Sequence, residues 1–247
     1  MTRKDIVVLL VSCCYSFFVY PLSISFMQAD IDQLFILPPC EGQIAVLQEE
    51  QDFLLINKPT RLLSVPGRHP QNRDSVISRL EVDYPGVSIV HRLDFDTSGV
   101  MVIPRNKRAL SDISKQFQAR SVSKHYTAVV AGLIAQDEGV IDLPIAAGEG
   151  PKYKVCQQTG KPSLTEYQVL ARDEKAHTTR VLLHPITGRS HQLRLHLQAI
   201  GHPILGCEFY AGEFAQAASR LLLHATDLSF THPVTGEPVF ISSQPEF

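Results

Sequence analysis

Nine residues at 91–99, His-Arg-Leu-Asp-Phe-Asp-Thr-Ser-Gly, interrupt what would otherwise be one long apolar region. Val87, Ile89 and Val90 precede them, and Val100, Met101, Val102 and Ile103 follow. Both flanks read as buried strands. A fold that buries them must bring a histidine, an arginine and two carboxylates to the edge of its core. Charges are tolerated there only when paired or hydrogen-bonded. On shape alone, a surface turn using Asp and Ser for turn chemistry reads equally well.

The rest of the chain supplies the frame. With 247 residues it can build one sizeable core or at most two small domains. Residues 44–47 and 53–56 form a strand pair around a polar turn, and Pro59 ends the second strand. Asp74 can cap a helix carrying Val76, Ile77 and Leu80, which Pro85-Gly86 stops. Asn106 can cap another, whose Ala109, Leu110, Ile113 and Phe117 make one apolar stripe. Residues 124–132 read as a strand entered at Tyr126, residues 139–158 as loop-rich, and 164–171 with 178–183 as a strand pair. Ser190 can cap a helix presenting Leu193, Leu197 and Ile200, with Gly201 just past its end. Arg189 then sits at the mouth of that helix, where packing gives an arginine no reason to be.

Net charge is −2, which by itself argues weakly against a nucleic-acid partner. Its distribution argues the other way. Between Arg105 and His125 six Lys or Arg face the single acid Asp112, and between Lys175 and Cys207 there is no acid at all. Basic stretches on a mildly acidic chain suit an enzyme that grips phosphates over one face; solvated faces without a partner are the plainer reading. The five cysteines are scattered, with neither disulfide nor C-x-x-C spacing, which fits a reducing, cytoplasmic compartment.

His-Arg-Leu-Asp-x-x-Thr-Ser-Gly resembles the signature of the RluA-type pseudouridine synthases. Lys124-His125-Tyr126-Thr127-Ala128-Val129-Val130-Ala131-Gly132 is similar to that family's Lys-x-Tyr-x-Ala-x-Val-x-Gly. Thr187-Gly188-Arg189-Ser190-His191-Gln192-Leu193-Arg194 is similar to its Thr-Gly-Arg-x-His-Gln-Leu-Arg. Agreement runs from about Ile56 to Pro233. Two positions depart from the pattern. Arg61 replaces the glycine of Lys-Pro-x-Gly-Leu and is strained if that position needs a positive φ; Cys207 stands where Asp is usual.

The resemblance implies an α+β fold, a bent, mainly antiparallel mixed sheet flanked by helices with the active-site cleft across the sheet. It also implies isomerisation of uridine to pseudouridine in structured RNA, with Asp94 as catalytic nucleophile and Arg189 as its ion-pair partner. Tyr126 is implied as the platform for the uracil, Arg92 as a residue that fills the gap of a flipped base or holds a phosphate, and Leu223 as an apolar border of the base pocket. Large-subunit ribosomal RNA and a transfer RNA anticodon stem-loop are the implied substrates of a monomer. No cofactor is implied. A metal site is not expected, because His191 and His196 are five residues apart and share no helix face. A noncatalytic RNA-binding protein retaining the fold is the alternative. A two-carboxylate glycosidase using Asp94 and Asp96 is a third reading, although the family keeps only the first Asp, leaving Asp96 to solvent or to the turn.

Residues 6–29 are uncharged and mostly apolar behind Arg3 and Lys4, long enough for a membrane span or signal peptide. Met27 offers a different start. Residues 1–26 are therefore expected to be an extension absent from the working protein, with a hydrophobic anchor or a signal peptide as alternatives, and 27–247 one catalytic domain.

Overall fold

Two strands built of continuous apolar runs set the architecture. β2 (Phe53–Lys58) and β3 (Ser98–Pro104) are buried along almost their whole length, as strands covered on both faces must be. The computed structural model describes residues 36–247, so the readings of residues 1–26 and 6–29 fall outside the described residues. Among the described residues no helix is long and apolar enough to cross a membrane.

The other strands are β1 (Ala45–Glu49), β4 (Ser123–Ala131), β5 (Glu138–Asp142), β6 (Ile145–Ala147), β7 (Tyr153–Val155), β8 (Leu164–Asp173), β9 (Thr178–Pro185), β10 (Leu223–Thr231) and β11 (Pro238–Ser242). The main sheet runs β1-β2-β3-β10-β4-β9-β8-β5, with β11 added along the second half of β10 and β6–β7 a separate hairpin. Every pairing is antiparallel except β3 with β10. The sheet is thus mixed and mainly antiparallel, with helices packed on it, as expected. The stretch 139–158 proves less irregular than its composition implies, because it carries most of β5 and all of β6 and β7.

β3 and β10 pair as strands only at Ser98–His224 and Gly99–Ala225, at the end of the polar island. Gly99 makes that contact possible. Its φ is +121°, and a Cβ there would lie 2.3 Å from the Ala225 carbonyl oxygen. Two buried clusters result. One joins β2 and β3 with residues from α1 (Val76–Asp83) and α2 (Lys107–Ala119); the other joins β4, β9 and α3 (Gln192–Ala199). Tyr126 packs against both, so it stands at their seam.

The helix ends correct two expectations. Ser75, not Asp74, caps α1: its hydroxyl accepts from the Ser78 amide while Ser78 reaches back, and Asp74 pairs with Arg79 at 2.6 Å. At α3 no side chain caps the first turn. The N-cap is His191 rather than Ser190, and its backbone is left-handed at φ 55°. Asn106 caps α2 through Oδ1, and Gly201 follows α3 at φ +86°, both as the pattern predicts.

Residues 87–90 also differ from expectation, forming no strand. β3 lacks a strand partner beyond Gly99 on the β10 side, and His91 fills in. Its Nε2 accepts from the Val102 amide at 3.1 Å while the ring stacks on Phe117, 4.7 Å between centroids. Burial, with Lys124 nearby, pushes the His91 pKa down to about 3. The unfolded chain therefore takes up a proton near the ordinary imidazole value that folded His91 refuses. Stability must fall as pH drops below about 6.5. At pH 5.5 the His91 contribution is a loss of about 1.4 kcal/mol. Urea melts at pH 7.5 and 5.5 should show a smaller loss for His91→Asn than for the parent; an identical loss would show that another group titrates.

Candidate active site

Residues 58–64 hold the middle of the polar island. Lys58, fully buried at the end of β2, donates from Nζ to the carbonyls of Pro59 (2.9 Å), Leu62 (2.7 Å) and Phe95 (3.2 Å). Burial pulls its pKa down to about 7, while three carbonyl acceptors use all three N–H groups of the ammonium form. Thr60 Oγ1 donates to the Asp96 carbonyl, and Ser64 Oγ donates to the Leu93 carbonyl while accepting from the Leu93 amide. The positive φ foreseen for the substituted glycine is present. Arg61 lies at φ 58°, a cost of about 1 kcal/mol, and its guanidinium donates to the Ser219 carbonyl.

This support aims Asp94 into a cleft of about 840 Å³ that crosses the seam between the two core clusters. Asp94 is the one carboxylate lining it among the described residues. Asp96 lies off the cleft, half-buried, with its pKa raised chiefly by burial. The site therefore lacks the second acid a two-carboxylate glycosidase needs.

Arg194 Nη1 lies 3.5 Å from Asp94 Oδ2, and His191 Nε2 lies 4.0 Å from the same oxygen. The Arg194 side chain is 3% exposed against 30% for Asp94, so the cation is the buried member and the carboxylate faces the cleft. Burial opposes the guanidinium charge, but Cys207, Asp94 and Asp96 outweigh it and raise the Arg194 pKa above the ordinary value. Burial lowers the His191 pKa against the pull of Asp94, so this imidazole is neutral near pH 7. Tyr126 lines the cleft from β4, and burial, reinforced by the Asp94 charge, pushes its pKa upward, which keeps the phenol protonated.

The structure brings Asp94, Tyr126, Arg92, Arg189 and Leu223 to one cleft. The pairing of Arg189 with Asp94 does not form. Arg189 sits before the helix begins, and its Nε donates to the Pro162 carbonyl at 3.3 Å. Arg194, in the first turn of α3, makes the ion pair instead. Arg92 is exposed and Leu223 is 3% exposed on β10. Arg120 and Lys124 add charge to the α2 side. His196 spends both nitrogens within the protein, on Thr165 Oγ1 and the Leu143 carbonyl. Among the described residues no three His, Cys, Asp or Glu side chains converge as a metal-binding group.

One oriented carboxylate inside basic walls suits chemistry on a polyanion, since phosphate-gripping cations alone would need no buried guanidinium behind them. That defines a nucleic-acid-modifying enzyme. The sequence pattern of the family described as RNA pseudouridylate synthase matches residues 52–199, which include the polar island, Tyr126 and all of α3. The chain belongs to that family, and it is an isomerase that converts uridine to pseudouridine in RNA. It is 52% identical over 205 residues to the dual-specificity RNA pseudouridine synthase RluA of Yersinia pestis, covering 82% of this chain and 99% of that one. It is 47% identical over 215 residues to the protein of the same name from Escherichia coli (strain K12), covering 85% and 97%. The solved structure of human RNA pseudouridylate synthase domain containing 1 superimposes with a TM-score of 0.71 at 30% identity, covering 85% of this chain and 86% of that one.

Proposed function

We propose that Asp94 is the catalytic nucleophile and that the substrate uridine lies in a structured RNA, in a large-subunit ribosomal RNA hairpin, a transfer RNA anticodon stem-loop, or both. The observation that carries this reading is the Asp94–Arg194 pair facing a basic cleft over Tyr126. The reaction breaks the bond from C1′ to N1 of uracil, turns the base over and joins C1′ to C5; C5 loses a proton and N1 gains one. A carboxylate oriented by a guanidinium can attack C1′ or the pyrimidine ring and later depart as the leaving group. Tyr126, protonated, supplies a flat face to the base and a neutral donor to the charge on the detached uracil.

A uridine stacked in a stem-loop must swing out to reach Asp94. Arg92, exposed beside the nucleophile, is placed to occupy the vacated stack or bind the displaced phosphate. Arg189, Arg120 and Lys124 serve as phosphate contacts, and Leu223 borders the base. The relatives' name, dual-specificity RNA pseudouridine synthase, supports action on more than one RNA, and the scattered free thiols support a reducing, cytoplasmic setting.

The test uses RNA transcribed with tritium at C5 of uridine, because isomerisation releases that hydrogen to water. Purified protein should release label stoichiometric with one or a few sites from an anticodon stem-loop, a ribosomal hairpin fragment, or both. No release from any transfer RNA or ribosomal RNA transcript would overturn the substrate assignment.

A further inference from the structure

Arg194 can serve Asp94 only if its guanidinium points the right way, and α3 by itself does not ensure that. The side chain leaves the first turn of a helix with no capping side chain. A long arginine also has several rotamers open to it. What removes the choice is the turn between Gly206 and Tyr210. Cys207, 1% exposed, places Sγ 3.2 Å from Arg194 Nε, so the N–H at the base of the guanidinium is held. The rings of Phe209 and Tyr210 lie 5.2 and 5.3 Å from Arg194 Cζ, and they stand at 82° to one another, forming a corner against the guanidinium. The guanidinium is planar and rigid. Once Nε–H and the faces are fixed, the direction of Nη1 is fixed too, and Nη1 is the atom nearest Asp94 Oδ2.

The turn is itself immobilised. Gly206 lies at φ +73°, and a Cβ there would lie 1.9 Å from the Arg220 carbonyl oxygen. The Leu205 and Leu222 amides are tied across it, to the Val129 and Leu205 carbonyls respectively. Tyr210 extends the hold to the second neighbour of Asp94: its hydroxyl lies 2.6 Å from His191 Nδ1 and accepts from the Tyr153 amide at 2.9 Å.

We propose that Cys207 is a positioning residue for the isomerisation, its thiol accepting from Arg194 Nε so that the guanidinium presents Nη1 to Asp94. The inference rests on the reading of Asp94 as the catalytic carboxylate. Cys207 touches neither substrate nor Asp94 and acts only through Arg194. Its sulfur takes Nε and leaves Nη1 to Asp94, so it orients the guanidinium without occupying the atom that faces the carboxylate.

The experiment separates the hydrogen bond from the packing. Cys207→Val keeps the volume and removes the acceptor; Cys207→Ser keeps an acceptor in a smaller side chain. With the tritium-release substrate, Cys207→Val should lower kcat about tenfold with KM for RNA within twofold, the size of one lost charge-assisted hydrogen bond. Cys207→Ser should restore kcat to within about threefold of the parent, whatever its melting temperature. The proposal is overturned if Cys207→Val keeps the parent kcat, if Cys207→Ser falls as far as Cys207→Val, or if the loss appears wholly in KM. Asp94→Asn run alongside distinguishes the two levels. An active Asp94→Asn removes the reading on which the proposal stands, whereas an inactive Asp94→Asn beside an unaffected Cys207→Val removes the proposal alone.

Discussion

Asp94→Asn should reduce pseudouridine formation by about four orders of magnitude or more while leaving RNA affinity within about threefold. Asparagine preserves the shape of the side chain and can still accept from Arg194, so the fold and the cleft should survive. What it loses is the negative charge and the nucleophilic oxygen. The cations lining the cleft, Arg92, Arg120, Lys124 and Arg189, are untouched, and they dominate the affinity for a polyanion. A filter-binding measurement at fixed salt beside the tritium assay reads affinity and turnover separately. The same substitution at Asp96 is the internal control. Its side chain lies off the cleft and its backbone carbonyl, which a side-chain change spares, is the atom bonded to Thr60. Asp96→Asn should cost less than about tenfold in kcat. Equal losses at the two positions would sink the assignment of chemistry to Asp94 alone.

The contrast between these neighbouring acids marks what is legible in the sequence and what the fold adds. The apolar flank at 100–103, the strand signal of residues 124–132 and the cap at Asn106 are local, and each became the element it implied. The flank at 87–90 carried the same apolar signal and formed no strand. It runs beside the free edge of β3 and bonds it through the Ser88 amide to the Pro104 carbonyl, while the His91 ring takes the place of a ladder partner for Val102. Between Asp94 and Asp96 the sequence offered only a two-residue spacing, and the resemblance chose the first; the turn and the Lys58–Ser64 cradle point the second away from the cleft.

Arg194 was harder to see. It lies between Leu193 and Leu195 in a helix whose first six residues are buried, and the chain from Lys175 to Cys207 contains no acid. A buried arginine there had to find its carboxylate elsewhere in the fold, which was a usable signal. Arg189 was given the role by the resemblance, and its place at a helix mouth, with no packing to explain it, agreed. Lys58 and Cys207 gave no local sign of what they hold, since Phe95 and Arg194 become their neighbours only through sheet β2–β3 and the turn after α3.

The two arginines should therefore part company on substitution. Arg194→Lys keeps a positive charge in the pocket but cannot bond Cys207 Sγ and Asp94 Oδ2 at once, because an ammonium lacks the planar fork. It also forfeits the corner formed by Phe209 and Tyr210. The expected loss in kcat is about a hundredfold to a thousandfold, comparable to removing one group that orients charge in an active site, with KM changed much less. Stability should fall as well, by about 1–3 kcal/mol, since a buried charge would be left imperfectly paired. Arg189→Lys and Arg189→Ala should behave in the opposite sense. Arg189 bonds a backbone carbonyl at the cleft wall, so its loss should raise KM several-fold and flatten the salt dependence of RNA binding, while kcat stays within about threefold. Steady-state kinetics at two salt concentrations on the four proteins resolve the matter. If Arg189→Ala proves the kcat variant and Arg194→Lys the KM variant, the cation that serves Asp94 during turnover is Arg189, and the Asp94–Arg194 pair belongs to the free enzyme only.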